Sequence, residues 1–143
     1  MMITRINELE NRWALIQEFL SNAGTSLEGF RYFNKRGKEV LDNHLHTILL
    51  YDTTEIIGYA HLDSCNAGKI WLGICLLHNK TGHGLGKILM TNLLEYADNH
   101  KIEEIRLSVD IANPRGKNLY EQFGFVVYNK TERMYFMKRR KHV

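Results

Sequence analysis

The stretch Asn79-Lys-Thr-Gly-His-Gly-Leu-Gly-Lys-Ile-Leu-Met90 joins an apolar run to an amphipathic helix. Its three alternating glycines let the backbone turn sharply and let a ligand approach the main chain closely. The helix that begins directly after them offers unpaired N–H groups and the positive end of its dipole. Together these features predict an anion cradle, most often one for a phosphate group.

The sequence around this loop predicts strands and helices in alternation. Ile70–Leu77 is rich in bulky apolar residues, which is typical of a strand in the middle of a sheet. Asn113-Pro114 is a typical helix start. Apolar periodicity and turn residues predict further helices over Glu8–Asn22, Arg36–Asn43 and Lys87–Asn99. They predict strands over Thr47–Asp52 and Ile56–Asp63, joined as a hairpin, and over Ile105–Val109, Phe125–Asn129 and Arg133–Met137. A turn is predicted at Asn66-Ala-Gly68, before Ile70–Leu77. We therefore expect a mixed α/β sheet with helices on its faces.

Bulk composition excludes several classes of protein. With 143 residues, 44% of them apolar and 24% charged, the chain fits one soluble domain over residues 1–143. No apolar run approaches the ~18 residues of a membrane span, and a net charge of +3 does not indicate a nucleic-acid-binding protein. Two cysteines do not form a disulfide framework, so we expect a cytoplasmic protein without membrane or nucleic-acid partners.

Two common phosphate-binding motifs do not fit the loop. A nucleoside-triphosphate loop, Gly-x-x-x-x-Gly-Lys-Ser/Thr, would need glycine at Thr81 and a hydroxyl at Ile88. The dinucleotide fingerprint Gly-x-Gly-x-x-Gly has a different spacing from the glycines at 82, 84 and 86. The cradle is therefore expected to hold another class of phosphate compound.

The loop resembles the acetyl-CoA signature of the GNAT N-acetyltransferase superfamily, Arg/Gln-x-x-Gly-x-Gly/Ala, with Thr81 in place of Arg or Gln. A second segment, Asn113-Pro-Arg-Gly-Lys-Asn-Leu-Tyr-Glu-Gln-Phe-Gly-Phe125, is similar to the superfamily's Asn-x-x-Ala-x-x-Leu-Tyr-x-Lys-x-Gly-Phe, with Gly116 for alanine and Gln122 for lysine. The resemblance implies a GNAT-like acyl-CoA N-acyltransferase fold. This is an α/β (α+β) domain with a mixed, mostly antiparallel central sheet of about six to seven strands and about four helices.

The same resemblance implies acetyl-CoA (coenzyme A) as co-substrate, and no metal. Main-chain amides of the loop would hold the pyrophosphate. The preceding strand, around Ile74 to Leu76, where the resemblance implies that the sheet opens, would hold the pantetheine arm, with a main-chain N–H near Leu76 polarising the thioester carbonyl. The residues that the resemblance assigns to the cofactor are Ile74, Cys75, Leu76, Thr81, Gly82, His83, Gly84, Leu85, Gly86, Lys87, Asn113, Lys117 and Tyr120.

Two residues are expected to move protons. Tyr120 matches the superfamily's general acid for the departing thiolate, although a core tyrosine between Leu119 and Phe123 is the alternative. For the base, Ile70–Leu77 contains no carboxylate, so the candidates are Tyr59, His61 and Asp63 on the neighbouring strand. His61 has the pKa best suited to a base at neutral pH and is the predicted catalytic residue.

Two other readings carry less weight. His44 and His46 are two positions apart and could share a strand face as metal ligands, but no cysteine or carboxylate is spaced to complete a site, and we predict no metal site. Cys75, inside an apolar strand, is expected to be an inert core residue rather than a nucleophile.

The expected function is transfer of an acetyl group to the primary amine of a small molecule, with amino-sugars as a candidate class. Predicted acceptor-binding residues are Phe30, Arg31, Tyr32, Asp63 and Trp71, since aromatic faces stack on sugar rings and Arg31 can bind an anionic group. Acetylation of proteins or peptides and a non-catalytic CoA-binding regulatory module remain open alternatives. Members of the superfamily are often dimers, so the resemblance also allows a homodimer.

Overall fold

The sheet of this protein has seven strands, and the computed structural model describes residues 1–66 and 68–141, without the side chains of 65 and 66. Its α-helices, α1 to α3, cover Arg12–Asn22, Leu85–Asn99 and Pro114–Gln122. The strands, β1 to β7, cover Met2–Arg5, His44–Asp52, Glu55–Asn66, Lys69–Leu76, Glu104–Asp110, Val126–Lys130 and Met134–Arg140. Short 3₁₀ segments cover Gly24–Glu28, Lys38–Asn43 and His78–Lys80.

The strand order is β1-β2-β3-β4-β5-β7-β6, and β4 with β5 is the parallel pair of an otherwise antiparallel sheet. The mixed sheet and its helices confirm the predicted fold class. The strand β1, which pairs with β2, was not predicted from the sequence. The short helix predicted over Arg36–Asn43 is a 3₁₀ segment over Lys38–Asn43, and the predicted turn at Asn66-Ala-Gly68 falls partly outside the described residues.

The parallel pair β4–β5 opens soon after it begins. Within the described residues, β4 and β5 pair only at Ile70↔Ile105 and Trp71↔Arg106. On its other edge, β4 stays paired with β3 up to Gly58↔Leu76, and β5 stays paired with β7 up to Asp110↔Met134. The two halves of the sheet therefore diverge and leave a gap beside the ends of β4 and β5.

Helix α2 follows β4 and packs against β3 and β4. Its buried residues recur at helical spacing and form one apolar stripe: Leu89, Met90, Leu93, Leu94 and Ala97. Burial of each large member contributes about 1.5–3 kcal/mol. This packing fixes the N-terminus of α2, and the glycine loop before it, next to the gap in the sheet.

None of the helices in the described part of the chain combines the length and apolarity that a membrane span requires.

Candidate active site

A cleft of about 1700 Å³ occupies the gap between β4 and β5. Its walls come from β3, β4, β5, α3, the glycine loop and the segment 25–36. The predicted site residues that line it are Phe30, Arg31, Tyr32, His61, Asp63, Trp71, Ile74, Cys75, Leu76, Thr81, Gly82, Gly84, Gly86, Lys87, Asn113 and Tyr120. Three other predicted residues, His83, Leu85 and Lys117, are not among the described residues of its lining.

The glycine loop, where the sequence predicts an anion cradle, lies at one end of the cleft. Gly82 and Gly84 have φ angles of +81° and +76°, a left-handed conformation that favours glycine. Gly84 directly precedes α2, and within the described residues no side chain caps this helix N-terminus. The first N–H groups of α2 are therefore available to an anion. A Cβ at Gly84 would have no described atom within 4 Å, so this part of the loop is open.

The neighbours of the cradle explain two features of the motif. The hydroxyl of Thr81, which stands where the superfamily has Arg or Gln, donates to the carbonyl oxygen of His78 at 3.3 Å. A Cβ at Gly86 would lie 2.9 Å from Leu119 Cδ2, so glycine lets α2 approach α3 closely. This approach places the start of α3 beside the cradle.

Arg115 brings a cation to the cradle that the motifs did not identify. A Cβ at Gly82 would lie 3.2 Å from Arg115 Nη1, and Arg115 lines the cleft. Lys117 instead places its ammonium 3.5 Å from Glu121 Oε1 and over the ring of Tyr135. Residues two apart do not share a helix face, so only one of the two cations can point at the loop. Helical periodicity in the sequence could therefore have shown that only one of Arg115 and Lys117 faces the loop, but not which one.

The main chain of β4 supplies a second binding surface. From Leu72 onwards, the main-chain N–H and C=O groups on the β5 side of β4 have no partner strand among the described residues, because β5 has diverged. Burial raises the pKa of the Cys75 thiol on this strand to about 12, which keeps the thiol protonated at neutral pH. A protonated buried thiol is a poor nucleophile.

Tyr120 lies on α3, with its ring 6.2 Å from that of Phe125, and lines the cleft. Burial, and then the nearby Cys75, raises the pKa of Tyr120, so the hydroxyl stays protonated. This hydroxyl has no hydrogen bond to any described residue, which leaves its proton available to a ligand. The helix start is the predicted one: Asn113 Oδ1 accepts from the main-chain N–H of Gly116 at 3.0 Å.

A buried hydrogen-bonded network lies at the other end of the cleft. The Tyr32 hydroxyl donates to Asp63 Oδ2 and contacts His44 Nε2 at 2.9 Å. His44 Nδ1 in turn lies 2.9 Å from the Thr47 hydroxyl. Burial, opposed in part by Asp63, lowers the pKa of His44 to about 4, so the imidazole is neutral at neutral pH.

His61 lies beside this network and belongs to the same wall. Its Nδ1 is 2.6 Å from the Tyr59 hydroxyl, and its ring packs 4.3 Å from that of Tyr32 between centroids. Gly73 makes room for it, because a Cβ there would lie 2.5 Å from His61 Nε2. Burial, and then His44, lowers the pKa of His61 well below its usual value. His61, the predicted base, is therefore uncharged at neutral pH but only weakly basic.

Two buried polar atoms in this part of the cleft have no hydrogen-bond partner among the described residues. They are Asp63 Oδ1 and Trp71 Nε1. Arg31, predicted to bind the acceptor, is paired with Asp110, with Nη2 2.8 Å from Oδ1. Its charge is therefore already opposed by a carboxylate.

His44, His61 and Asp63 place three ligand-type atoms within 4.8 Å of one another. Sequence spacing suggested His44 with His46 instead, but His46 contacts Asn92 Oδ1 at 2.8 Å and Arg5 Nη1 at 2.6 Å. A register shift separates the two histidines along β2. Tyr32 already bridges His44 and Asp63, so hydrogen bonds account for their burial.

Comparison with solved structures shows that the fold is a known one. The chain is similar to yncA from Salmonella typhimurium, solved with its cofactor acetyl-CoA, with a TM-score of 0.77 and 16% identity over 100% of this chain and 96% of that one. It is similar to the PaiA N-acetyltransferase from Thermoplasma acidophilum, solved with coenzyme A (TM-score 0.70, 18% identity, 99% and 100% covered). A chimera of the spermidine N-acetyltransferase SpeG from Vibrio cholerae gives a TM-score of 0.70 at 17% identity, with 98% and 96% covered.

Sequence comparison settles the family. No curated protein matches the chain by sequence. The model of the acetyltransferase (GNAT) family, in contrast, matches residues 9–125, well over half of the chain, including the cradle and Tyr120. The chain therefore belongs to the acetyltransferase (GNAT) family.

Proposed function

We propose that this acetyl-CoA-dependent N-acetyltransferase acts on the primary amine of a small molecule, with amino-sugars as the leading class. The observation that carries the proposal is the cleft itself, with an uncapped helix N-terminus at one end and a buried polar network at the other. The first end suits a diphosphate, and the second suits an amine. The relatives solved with acetyl-CoA and coenzyme A support the same co-substrate here.

The cradle would hold the pyrophosphate of acetyl-CoA through the main-chain N–H groups of residues 82–87. Arg115 would add a positive charge beside Gly82. The main-chain groups of Ile74 and Leu76 would hold the pantetheine arm along the open edge of β4, and an N–H near Leu76 would polarise the thioester carbonyl.

Tyr120 is the proposed general acid. When the amine nitrogen forms its bond to the carbonyl carbon, the carbon–sulfur bond breaks and the sulfur needs a proton. The protonated, otherwise unbonded Tyr120 hydroxyl can supply that proton, and the nitrogen's remaining excess proton restores the phenol. His61 and Asp63 both line the acceptor end and are the proposed groups that handle the proton of the incoming ammonium.

A small acceptor fits this end of the cleft better than a peptide. Phe30, His61 and Asp63 are all buried at 9% exposure or less. Groups that are so deeply placed reach a compact amine more readily than a chain lying across the surface. The similarity to a spermidine N-acetyltransferase supports a small-molecule acceptor.

The test is release of free thiol from acetyl-CoA in the presence of simple amines, amino-sugars and lysine peptides. We expect turnover with small primary amines, and with amino-sugars above the others. Turnover with peptides alone would contradict the proposed acceptor. Tight binding of CoA without turnover of any amine would instead favour a non-catalytic CoA-binding module.

A further inference from the structure

Asp63 and Trp71 are paired residues on neighbouring strands, and each has an unsatisfied polar atom. They are opposite one another in the antiparallel β3–β4 pair, so their side chains leave the same face of the sheet. Asp63 Oδ1 can only accept from a donor when the carboxylate is ionised, and Trp71 Nε1 can only donate. Neither has a partner among the described residues, and both residues line the cleft.

Such atoms call for an explanation, because a buried polar group without a hydrogen-bond partner destabilises the folded protein. Asp63 is fully buried, at 0% exposure. The pair therefore offers one acceptor and one donor to a ligand, from two paired strands of the sheet. A molecule that satisfies both must itself carry a donor and an acceptor close together.

The network behind Asp63 fixes which of its oxygens is available. Tyr32 donates to Oδ2, and its hydroxyl oxygen can then accept from His44 Nε2–H. The Thr47 hydroxyl can donate to His44 Nδ1, so every donor in this series points toward the carboxylate. Oδ1 is the oxygen that remains for a ligand, and a carboxylate in this position suits a cation.

His61 is less suited to the same role. Its Nδ1 is occupied by the Tyr59 hydroxyl, and its Nε2 lies against Gly73. Two positively charged residues, Arg31 and Arg36, line the mouth of the cleft, but the first is paired with Asp110 and the second donates to the Tyr32 carbonyl oxygen at 2.8 Å. Arg31 donates to both oxygens of Asp110, and Glu28, the other carboxylate of this part of the lining, is exposed to solvent. Among the described residues, Asp63 is therefore the buried carboxylate of the lining with an unused oxygen.

We propose that the acceptor is a primary amine with a hydroxyl group on the neighbouring carbon, as in an amino-sugar. Its ammonium group binds Asp63 Oδ1, and its hydroxyl oxygen accepts from Trp71 Nε1. This assignment rests on the proposed acetyltransferase function and names the substrate class of that site.

The proton balance follows from this placement. The ammonium transfers one proton to Asp63 Oδ1, and the freed lone pair forms the bond to the thioester carbon. The carbon–sulfur bond then breaks, with the proton of Tyr120 passing to sulfur and the second nitrogen proton returning to Tyr120. Asp63 finally releases its proton to solvent, so one proton leaves for each acetyl group transferred.

The test compares trans-2-aminocyclohexanol with cyclohexylamine, which differ by one hydroxyl group. Thiol release and the affinity for CoA are measured, with and without EDTA, for the wild type, Trp71→Phe and Asp63→Asn. Trp13→Phe and Asp42→Asn are the matched controls, because Trp13 packs on Phe33 outside the cleft lining and Asp42 is exposed. Thermal unfolding checks that each variant is folded.

We expect the wild type to prefer the amino alcohol by about tenfold or more in kcat/KM, the range for one buried hydrogen bond. Trp71→Phe should remove this preference, and Asp63→Asn should lower kcat/KM for both amines by at least about 100-fold, with CoA affinity unchanged.

Equal use of the two amines by the wild type would overturn the proposal, as would a preference retained in Trp71→Phe. In either case, solvent would satisfy Asp63 Oδ1 and Trp71 Nε1. Loss of activity in EDTA would overturn it in favour of a metal at His44, His61 and Asp63. Failure to bind CoA at all would instead refute the proposed function.

Discussion

Tyr120, Cys75, His44 and His61 are all buried, and burial is the main cause that shifts the pKa of each toward the neutral form. The cleft is therefore lined by hydroxyl, thiol and imidazole groups that carry no charge at neutral pH. A neutral phenol can donate a proton to a thiolate, whereas a neutral buried thiol does not compete for the acetyl group. This environment favours direct attack by the acceptor amine.

Replacement of Tyr120 by Phe removes the proposed acid and keeps the ring that packs on Phe125. We expect kcat to fall by about 100-fold or more, the usual contribution of a general acid, with little change in the Kd for CoA. Thiol release and calorimetry measure the two quantities. Tyr128→Phe, on the exposed strand β6, is the control; turnover that is unchanged in Tyr120→Phe would exclude the role.

The buried His44 predicts how stability depends on pH. Its pKa is about 4 in the folded state against 6.5 for the ordinary group, so the unfolded chain takes up a proton first as pH falls. The buried His44 does not change the free energy of unfolding above pH 6.5. Below that pH it lowers the free energy of unfolding progressively, and the loss reaches about 3 kcal/mol near pH 4. Urea unfolding at several pH values should show that the free energy of unfolding of His44→Gln falls less steeply with decreasing pH than that of the wild type. Identical pH dependence in the two proteins would contradict this assignment.

The two cations of α3 show how far single residues could be predicted. The motifs marked Asn113 and Tyr120 as cleft residues because their spacing is that of a known segment, and the structure places both in the lining. They offered no reason to choose Arg115 over Lys117, since the choice depends on the angle at which α3 meets the loop. That angle is set by the contact between Gly86 and Leu119, which are 33 positions apart.

Arg115→Gln and Lys117→Gln each remove one positive charge from the same helix. We expect the first to weaken CoA binding by about three- to tenfold, because it loses a charge-assisted contact at the cradle, and the second to change it by less than about twofold. Calorimetry at low and moderate salt measures both. Equal effects of the two substitutions would show that only the net charge matters.

Strands β3 and β4 meet at the end of the cleft beside the buried hydrogen-bonded network, where His61 fits closely on Gly73. The imidazole is held by Tyr59 and lies where a side chain on β4 would otherwise stand. The predicted hairpin over β2 and β3 and the central strand β4 are present, because alternation and bulky apolar runs specify them. The gap between β4 and β5 was expected only from the family resemblance, since no turn sets the register of a parallel pair.

Gly73→Ala should disturb this fit. The new Cβ would lie 2.5 Å from His61 Nε2, so we expect a loss of about 1–3 kcal/mol in the free energy of unfolding. In a His61→Ala background the same change should cost much less, because the imidazole is gone. Chemical denaturation of the four proteins measures the coupling. An equal cost in both backgrounds would mean that the crowding is elsewhere.

The molecule as a whole joins two half-sheets that share a short parallel contact and separate around the site. One half, β1 to β4, carries most of the buried hydrogen-bonded network, and the other half, β5 to β7, carries the wall formed with α3. At the far edge, β6 exposes Val126, Val127 and Tyr128. The sequence patterns and the family resemblance predicted the mixed α/β fold, but β1 is only four residues long and has no periodicity that distinguishes it.

The proposed binding of the CoA diphosphate by main-chain amides of the glycine loop can be tested with two matched glycines. Gly84 and Gly68 have φ angles of +76° and +77°, and a Cβ at either would have no described atom within 4 Å. Backbone strain is therefore similar in Gly84→Glu and Gly68→Glu, while only Gly84 lines the cleft. Calorimetric titration with CoA should show wild-type affinity for Gly68→Glu and a loss of at least about 100-fold for Gly84→Glu, which places a carboxylate in the anion site. Equal affinity of the two variants, or a wild-type protein that does not bind CoA, would contradict the claim.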